Sequence, residues 1–150
     1  MITLVRTTSD NEEFGHLVLQ LDAYLRILDG EDHEFYAQFN KTHLLKNALI
    51  AYENDIAVGI GAYKEYDTVT VEIKRMYTLP EYRGKGIAKT ILTELELWAK
   101  EEGYKFSILE TGYLQKDAIG LYQKLGYEIT ENFGQYIGVE NSVCLKKSLN

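Results

Sequence analysis

The chain has one cysteine, one proline and one tryptophan among 150 residues. A lone Cys144 excludes an internal disulfide and fits a reducing compartment. With so little proline, no low-complexity tract, no internal repeat and no linker-like stretch, residues 1–150 are expected to form a single domain. Positive charge is also scarce: 16 Lys and Arg stand against 23 Asp and Glu, for a net charge of −7. That balance argues against a nucleic-acid surface, since phosphate backbones select basic faces. It suits a cationic acceptor such as an amine, and it also keeps a protein soluble. No apolar run approaches the ~20 residues of a membrane helix. The opening "MITLVRTTSD" lacks the basic and apolar regions of a signal peptide. A cytoplasmic protein with no membrane contact is therefore expected. The histidines His16, His33 and His43 lack metal-ligand spacing with one another or with the cysteine, so no metal site is expected.

What is present is a mixed pattern of strand and helix periods. "ITLVR" alternates like a short strand. Ser9 and Glu12 have capping-box spacing ahead of Phe14, Leu17, Val18, Leu21, Leu25 and Leu28 at helical intervals, and Gly30 is the expected stop. A shorter amphipathic stretch, "EDHEFYAQFNK", carries Phe35, Tyr36 and Phe39 on one face. "NALIAYE" and "IAVGIGAYKEY" read as a hairpin turning at Asn54-Asp55. "TVTVEIKRMYTL" puts Val69, Val71 and Ile73 on one face and Glu72 and Lys74 on the other. Ile87, Ala88, Ile91, Leu92, Leu95, Trp98 and Ala99 form a helical stripe ended by Gly103. "YKFSILET" is another strand, "KDAIGLYQKLGY" a short helix stopped by Gly126, and "YEITENF" and "NSVCLKKSL" a final strand pair. The order β-α-α-β-β-β-α-β-α-β-β implies an α/β (α+β) domain, a mixed sheet with helices on its faces.

Between the third hairpin strand and the long helix stands "LPEYRGKGIAKTIL". A strand end there feeds a helix N-terminus, where backbone N–H groups lack intrahelical partners and the helix dipole is positive. Such a terminus is an anion site. Gly84 and Gly86 allow close backbone approach, and Arg83, Lys85 and Lys89 add positive charge. A dinucleotide-binding fingerprint would need a small residue at position 89, where Lys89 stands, and no Walker A sequence is present. Taken alone, the stretch is a weak signal and reads better as a surface turn with solvated charges.

The wider pattern resembles the GNAT superfamily of acyl-CoA-dependent N-acetyltransferases. Arg83-Gly84-Lys85-Gly86-Ile87-Ala88 matches that family's Arg/Gln-x-x-Gly-x-Gly/Ala motif. "EIKRMYTLPEY" is similar to its fourth strand, and "AIGLYQKLGYE" to its Ala-x-x-x-Tyr-x-x-x-Gly-Phe/Tyr motif. The resemblance covers Val69 to Glu128. It implies a largely antiparallel central sheet of about seven strands flanked by about four helices. It also implies acetyl-CoA as cosubstrate. The backbone of Met76, Tyr77 and Thr78 would pair with the pantetheine arm. Arg83, Gly84, Lys85, Gly86, Ile87, Ala88 and Lys89 would surround the pyrophosphate. Gln115 stands where many members carry a pantetheine-binding asparagine. Homodimers, often through the last strands, are frequent in the family.

Acetyl transfer to an amine needs a neutral nucleophile, a stabilised oxyanion and a proton for the departing thiolate. The resemblance makes Tyr122 the general acid and offers Glu72 or Glu110 as the base, with Glu72 in the closer sequence context. The oxyanion would be held by a backbone N–H near Tyr77 or Thr78. Cys144 reads as a buried strand residue rather than a nucleophile. Tyr24, Tyr36, Tyr113 and Tyr136 are candidates to line an acceptor pocket, although core and surface packing explain most tyrosines. His33 is a candidate substrate contact that reads more readily as a solvated loop histidine. The leading expectation is an acetyl-CoA-dependent N-acetyltransferase acting on a small-molecule or peptide amine. The alternative is a CoA-binding sensor or regulatory module without turnover.

Overall fold

Asn54 and Asp55 take left-handed backbone angles, φ 51° and 67°, and close a two-residue turn between strands β2 (Asn47–Glu53) and β3 (Ile56–Asp67). Short polar residues tolerate this conformation, and it matches the twist of a hairpin. The hairpin belongs to a computed structural model that describes residues 1–30 and 44–150. Its strand register is antiparallel, with Glu53 opposite Ile56 and Ile50 opposite Ile60.

The remaining elements follow the chain as β1 (Ile2–Thr7), α1 (Glu12–Asp29), β4 (Thr70–Thr78), α2 (Ile87–Glu101), β5 (Phe106–Gly112), α3 (Lys116–Lys124), β6 (Glu128–Thr130) and β7 (Ser142–Ser148). They form one seven-stranded sheet in the order β1-β2-β3-β4-β5-β7-β6. β4 and β5 pair in parallel, whereas β1–β2, β2–β3, β5–β7 and β6–β7 pair antiparallel, so the sheet is mixed and largely antiparallel as expected. Three α-helices lie among the described residues. The expected fourth, over "EDHEFYAQFNK", lies outside the described residues.

The chain divides into two compact units, Met1–Lys64 with Lys74–Leu95, and Glu65–Ile73 with Glu96–Asn150. In the first, Phe14, Leu17, Val18 and Leu21 of α1 pack on Ala48, Ile50, Ile60, Ala62 and Tyr77. Each such buried Leu, Ile or Phe contributes ~1.5–3 kcal/mol. The start of α1 differs from the expected Ser9–Glu12 box. Asn11 is the cap, its Oδ1 accepting from the amides of Glu13 (2.9 Å) and Phe14 (3.2 Å). Ser9 instead accepts from the Leu45 amide through Oγ at 2.7 Å. Both residue types cap well, so spacing alone did not choose between them. Gly30 ends the helix at φ 54°, as expected.

In the second unit, Thr70, Val71 and Glu72 of β4 pair with Phe106, Ser107 and Ile108 of β5. Thr70 through Ile73 are all buried, so both faces of this strand are covered and Glu72 is 3 % exposed. A polar network runs through this unit. The Tyr127 hydroxyl donates to Glu96 Oε2 (2.9 Å) and receives the Ser107 hydroxyl proton (2.7 Å). Lys147 Nζ donates to Glu96 Oε1 at 2.9 Å, which completes the pairing of that carboxylate. A largely buried carboxylate such as Glu96 is stabilised when its charge and lone pairs are met in this way.

Candidate active site

The Gly-rich turn belongs to the first unit, between the end of β4 and the start of α2. Gly84 and Gly86 have φ of +81° and +80°. A residue with a side chain is disfavoured there by ~1–2 kcal/mol. A Cβ at either position would meet nothing within 4 Å, so the backbone turn, not crowding, requires glycine. The Gly86 carbonyl accepts from the Thr90 amide (3.0 Å) and the Thr90 hydroxyl (2.9 Å), which starts the helical ladder. The N–H groups of Gly86, Ile87, Ala88 and Lys89 therefore lack intrahelical acceptors.

The three helices treat their N-termini differently. α1 carries Glu12 and Glu13 in its first turn and α3 carries Asp117, whereas the first turn of α2 has no acidic residue. Its first turn therefore offers the dipole no acidic side chain of its own, and it is flanked by the exposed Lys85 and Lys89. Lys85 Nζ stands 4.0 Å from Glu53 Oε2 and 5.1 Å from the Tyr82 ring centroid. An exposed pair of that length is weak and leaves the ammonium available. Open glycines, bare amides and lysines fit the pyrophosphate of a CoA thioester.

Two glycines of β3 seat this helix. A Cβ on Gly61 would lie 2.6 Å from Met76 Sδ, 2.7 Å from Ile91 Cγ2 and 2.9 Å from Leu95 Cδ1. One on Gly59 would lie 2.9 Å from Ile91 Cδ1 and 3.0 Å from Ile87 Cγ2. The N-terminal half of α2 therefore rests directly on the β3 backbone. At the end of β4, Tyr77 and Thr78 are buried and Met76 packs over Gly61. Arg75, upstream, has φ +60°, and its guanidinium donates to Asp22 Oδ1 at 2.9 Å. Arg83 donates through Nε to the Thr78 carbonyl at 2.9 Å. Its guanidinium carbon lies 5.4 Å from the Tyr24 ring centroid and 5.5 Å from that of Tyr77.

The second unit brings Glu72, Glu110, Tyr136 and Cys144 into one cluster. Glu110 of β5 stands directly across from Cys144 of β7 in the strand register. Burial pushes the Cys144 thiol up to about 11, with Glu110 and Glu72 adding to the rise. It is thus a neutral thiol at pH 7, in keeping with a buried strand residue. Burial, then Glu110 and Glu72, push the Tyr136 phenol well above its ordinary range. Asn132 holds the Tyr136 loop through Nδ2, which donates to the carbonyls of Tyr136 (3.0 Å) and Val139 (2.9 Å).

Tyr122 is the buried residue of α3, and burial raises its phenol to about 12. Its ring meets that of Tyr127 edge to face, 6.0 Å between centroids. Gln115 occupies the cap position of α3, yet its side chain makes no cap bond. Of the other expected pocket tyrosines, Tyr24 and Tyr113 are exposed and Tyr136 is buried. Tyr36 and His33 lie outside the described residues. Sequence reasoning missed the Asn132 clamp and the Tyr127–Ser107–Glu96–Lys147 network. It also missed the seating role of Gly59 and Gly61, although two glycines at strand period in "VGIGA" are a signal for close approach.

The family model described as acetyltransferase (GNAT) family matches residues 15–127. An uncharacterized N-acetyltransferase, YsnE of Bacillus subtilis, is 39% identical over 101 residues, covering 66% of this chain and 67% of that protein. The IAA acetyltransferase of Azospirillum brasilense is 30% identical over 158 aligned positions, covering 99% of this chain and 98% of that protein. A Klebsiella pneumoniae crystal structure, described as a candidate acyl-CoA N-acyltransferase, superposes with TM-score 0.84 at 30% identity. It covers 100% of this chain and 99% of its own. The family model and these relatives define an acyl-CoA-dependent transferase. The chain belongs to the GNAT family of acetyltransferases, enzymes that take their acetyl group from acetyl-CoA.

Proposed function

We propose that the protein transfers the acetyl group of acetyl-CoA directly to an amine acceptor in a ternary complex. The observation that carries this reading is the turn at Gly84 and Gly86, opening onto a helix N-terminus with no acidic residue in its first turn. The amides of Gly84 through Lys89 hold the pyrophosphate, with Lys85 and Lys89 supplying charge. The backbone of Met76, Tyr77 and Thr78 pairs with the pantetheine arm, and the Gln115 side chain is available to it. Acetyl-CoA supplies an activated thioester carbonyl, and one of the β4 backbone amides near Tyr77 or Thr78 receives the developing oxyanion. Glu72 or Glu110 accepts the proton that the amine must lose to attack. Tyr122 holds the proton that the leaving sulfur receives, since a phenol stays protonated at neutral pH.

The acceptor is a small-molecule or peptide amine, and residues 1–150 act as one cytoplasmic domain. The Azospirillum relative is named an IAA acetyltransferase; that name does not fix an acceptor for this chain. The test is thiol release from acetyl-CoA with a panel of amines, comparing wild type with Tyr122→Phe. Turnover that collapses in the variant supports the reading. Tight CoA binding without turnover by any amine overturns it in favour of a CoA-binding module.

A further inference from the structure

Arg83 opens the glycine motif, yet its guanidinium is engaged elsewhere. Nε donates to the Thr78 carbonyl at 2.9 Å, and the planar head lies over the rings of Tyr24 on α1 and Tyr77 on β4. The Thr78 carbonyl and the Leu79 amide belong to one peptide plane. The Leu79 amide donates to the Val58 carbonyl of β3 at 2.9 Å. One planar unit is thus gripped at both poles, by Arg83 on its oxygen and by β3 on its nitrogen. The grip is reinforced from below. Tyr82 N donates to Leu79 O (2.9 Å) and Arg83 N to Pro80 O (3.3 Å), winding the intervening residues into a single 3-10 turn.

We infer that Arg83 is a positioning residue: its side chain fixes the orientation of the β4 terminus rather than neutralising the pyrophosphate. The inference rests on the acetyltransferase reading above and assigns this side chain a task within it. A planar fork suits the role, because it can donate in its own plane while presenting its faces to two aromatic rings. Lysine has the charge without the plane. The β4 terminus carries the amides offered to the oxyanion, and misplacing such a donor is felt in kcat rather than in KM. The charge near the phosphates is left to Lys85 and Lys89, neither of which makes an ion pair shorter than 4.0 Å among the described residues.

The experiment uses two acetyl donors, acetyl-CoA and S-acetylpantetheine, which keeps the thioester and arm but has no pyrophosphate. Wild type, Arg83→Gln, Arg83→Lys and Lys89→Ala are compared, with thermal midpoints and CoA stoichiometry confirming that each is folded. For both Arg83 variants kcat is expected to fall ~10- to 100-fold, by the same factor with either donor. Lys89→Ala should raise KM for acetyl-CoA and leave S-acetylpantetheine unaffected. The inference is overturned if Arg83→Lys restores wild-type kinetics, or if Arg83→Gln affects acetyl-CoA alone. Should wild type turn over no amine, the acetyltransferase reading fails, and the role of Arg83 is read from CoA binding. An unchanged salt slope of CoA affinity in Arg83→Gln then supports positioning, and a reduced slope overturns it.

Discussion

Gly61 of β3 lies so close beneath Ile91 of α2 that an added Cβ would stand 2.7 Å from the isoleucine Cγ2. Met76 Sδ and Leu95 Cδ1 crowd the same point, at 2.6 and 2.9 Å. The contact sets the height of α2 over the sheet, and with it the position of the helix N-terminus that carries the anion site. Gly61→Ala should therefore push the helix outward. Overpacking of this kind costs ~1–3 kcal/mol. Urea denaturation should show that loss, and KM for acetyl-CoA should rise with it.

Gly86 poses the opposite case, since no crowding surrounds it and only its φ of +80° resists a side chain. Gly86→Ala should cost ~1–2 kcal/mol of backbone strain and distort the turn. The expected kinetic signature is a raised KM for acetyl-CoA with a smaller effect on kcat. A variant with unchanged KM would show that the turn does not hold the donor.

The contrast between these glycines bears on how much the sequence reveals. The hairpin at Asn54-Asp55, the α2 stripe and the Gly84–Gly86 turn are local features, written in residues a few positions apart. The sheet order is not local: β7 enters between β5 and β6, and no spacing in the chain announces it. Glu72 read as one face of an alternating strand, yet coverage of both faces buries it, which follows from tertiary packing alone. Arg83 read as a cation for the pyrophosphate because its ring partner Tyr24 comes from the distant α1, although its hydrogen-bond partner Thr78 lies only five positions upstream. The network of Tyr127, Ser107, Glu96 and Lys147 likewise joins residues from across 51 positions of the chain.

Tyrosine titration should set the alkaline limit of stability. Burial raises Tyr122 to about 12, and the Glu65 hydrogen bond followed by burial raises Tyr104 to about 12. Burial pushes Tyr127 and Tyr136 higher still. The unfolded value is ~10. Each folded phenol therefore holds its proton where the unfolded one has lost it, so the stabilisation is full below pH ~10 and is lost as pH rises through the folded values. Urea midpoints should begin to fall above pH ~8.5, where the unfolded Cys144 thiol ionises, and fall more steeply above pH ~10, where the unfolded phenols do. Tyr122→Phe should make that fall shallower. A midpoint that declines equally in wild type and variant would remove Tyr122 from the account.

The two candidate bases separate by substitution. Glu72 is buried mid-strand in β4, and Glu110 is half-buried opposite Cys144. Loss of a general base costs ~10²–10⁴-fold in rate. Glu72→Gln is expected to fall in that range in kcat/KM, and Glu110→Gln to lose less. The glutamine variants keep shape and one acceptor oxygen while removing the charge, so a folded, CoA-binding Glu72→Gln with wild-type turnover would transfer the role to Glu110. Activity of both variants at high pH, where the amine is already neutral, should approach that of wild type.

Tyr122→Phe isolates one hydroxyl at a position whose ring packing the variant preserves. The ring is buried and meets Tyr127 at 6.0 Å, so phenylalanine should keep the fold and the thermal midpoint near neutral pH. Proton donation by a positioned acid is worth ~10²–10⁴-fold, and kcat should fall within that range with KM for acetyl-CoA little changed. The phenol stays protonated up to about 12, so its own titration should produce no alkaline limb in the wild-type profile across the neutral range. A donor with a better leaving thiol needs the proton less. The wild-type to variant ratio should therefore shrink when an aryl thioester replaces acetyl-CoA as the acetyl donor. An undiminished ratio would assign Tyr122 to packing and leave the departing sulfur to solvent.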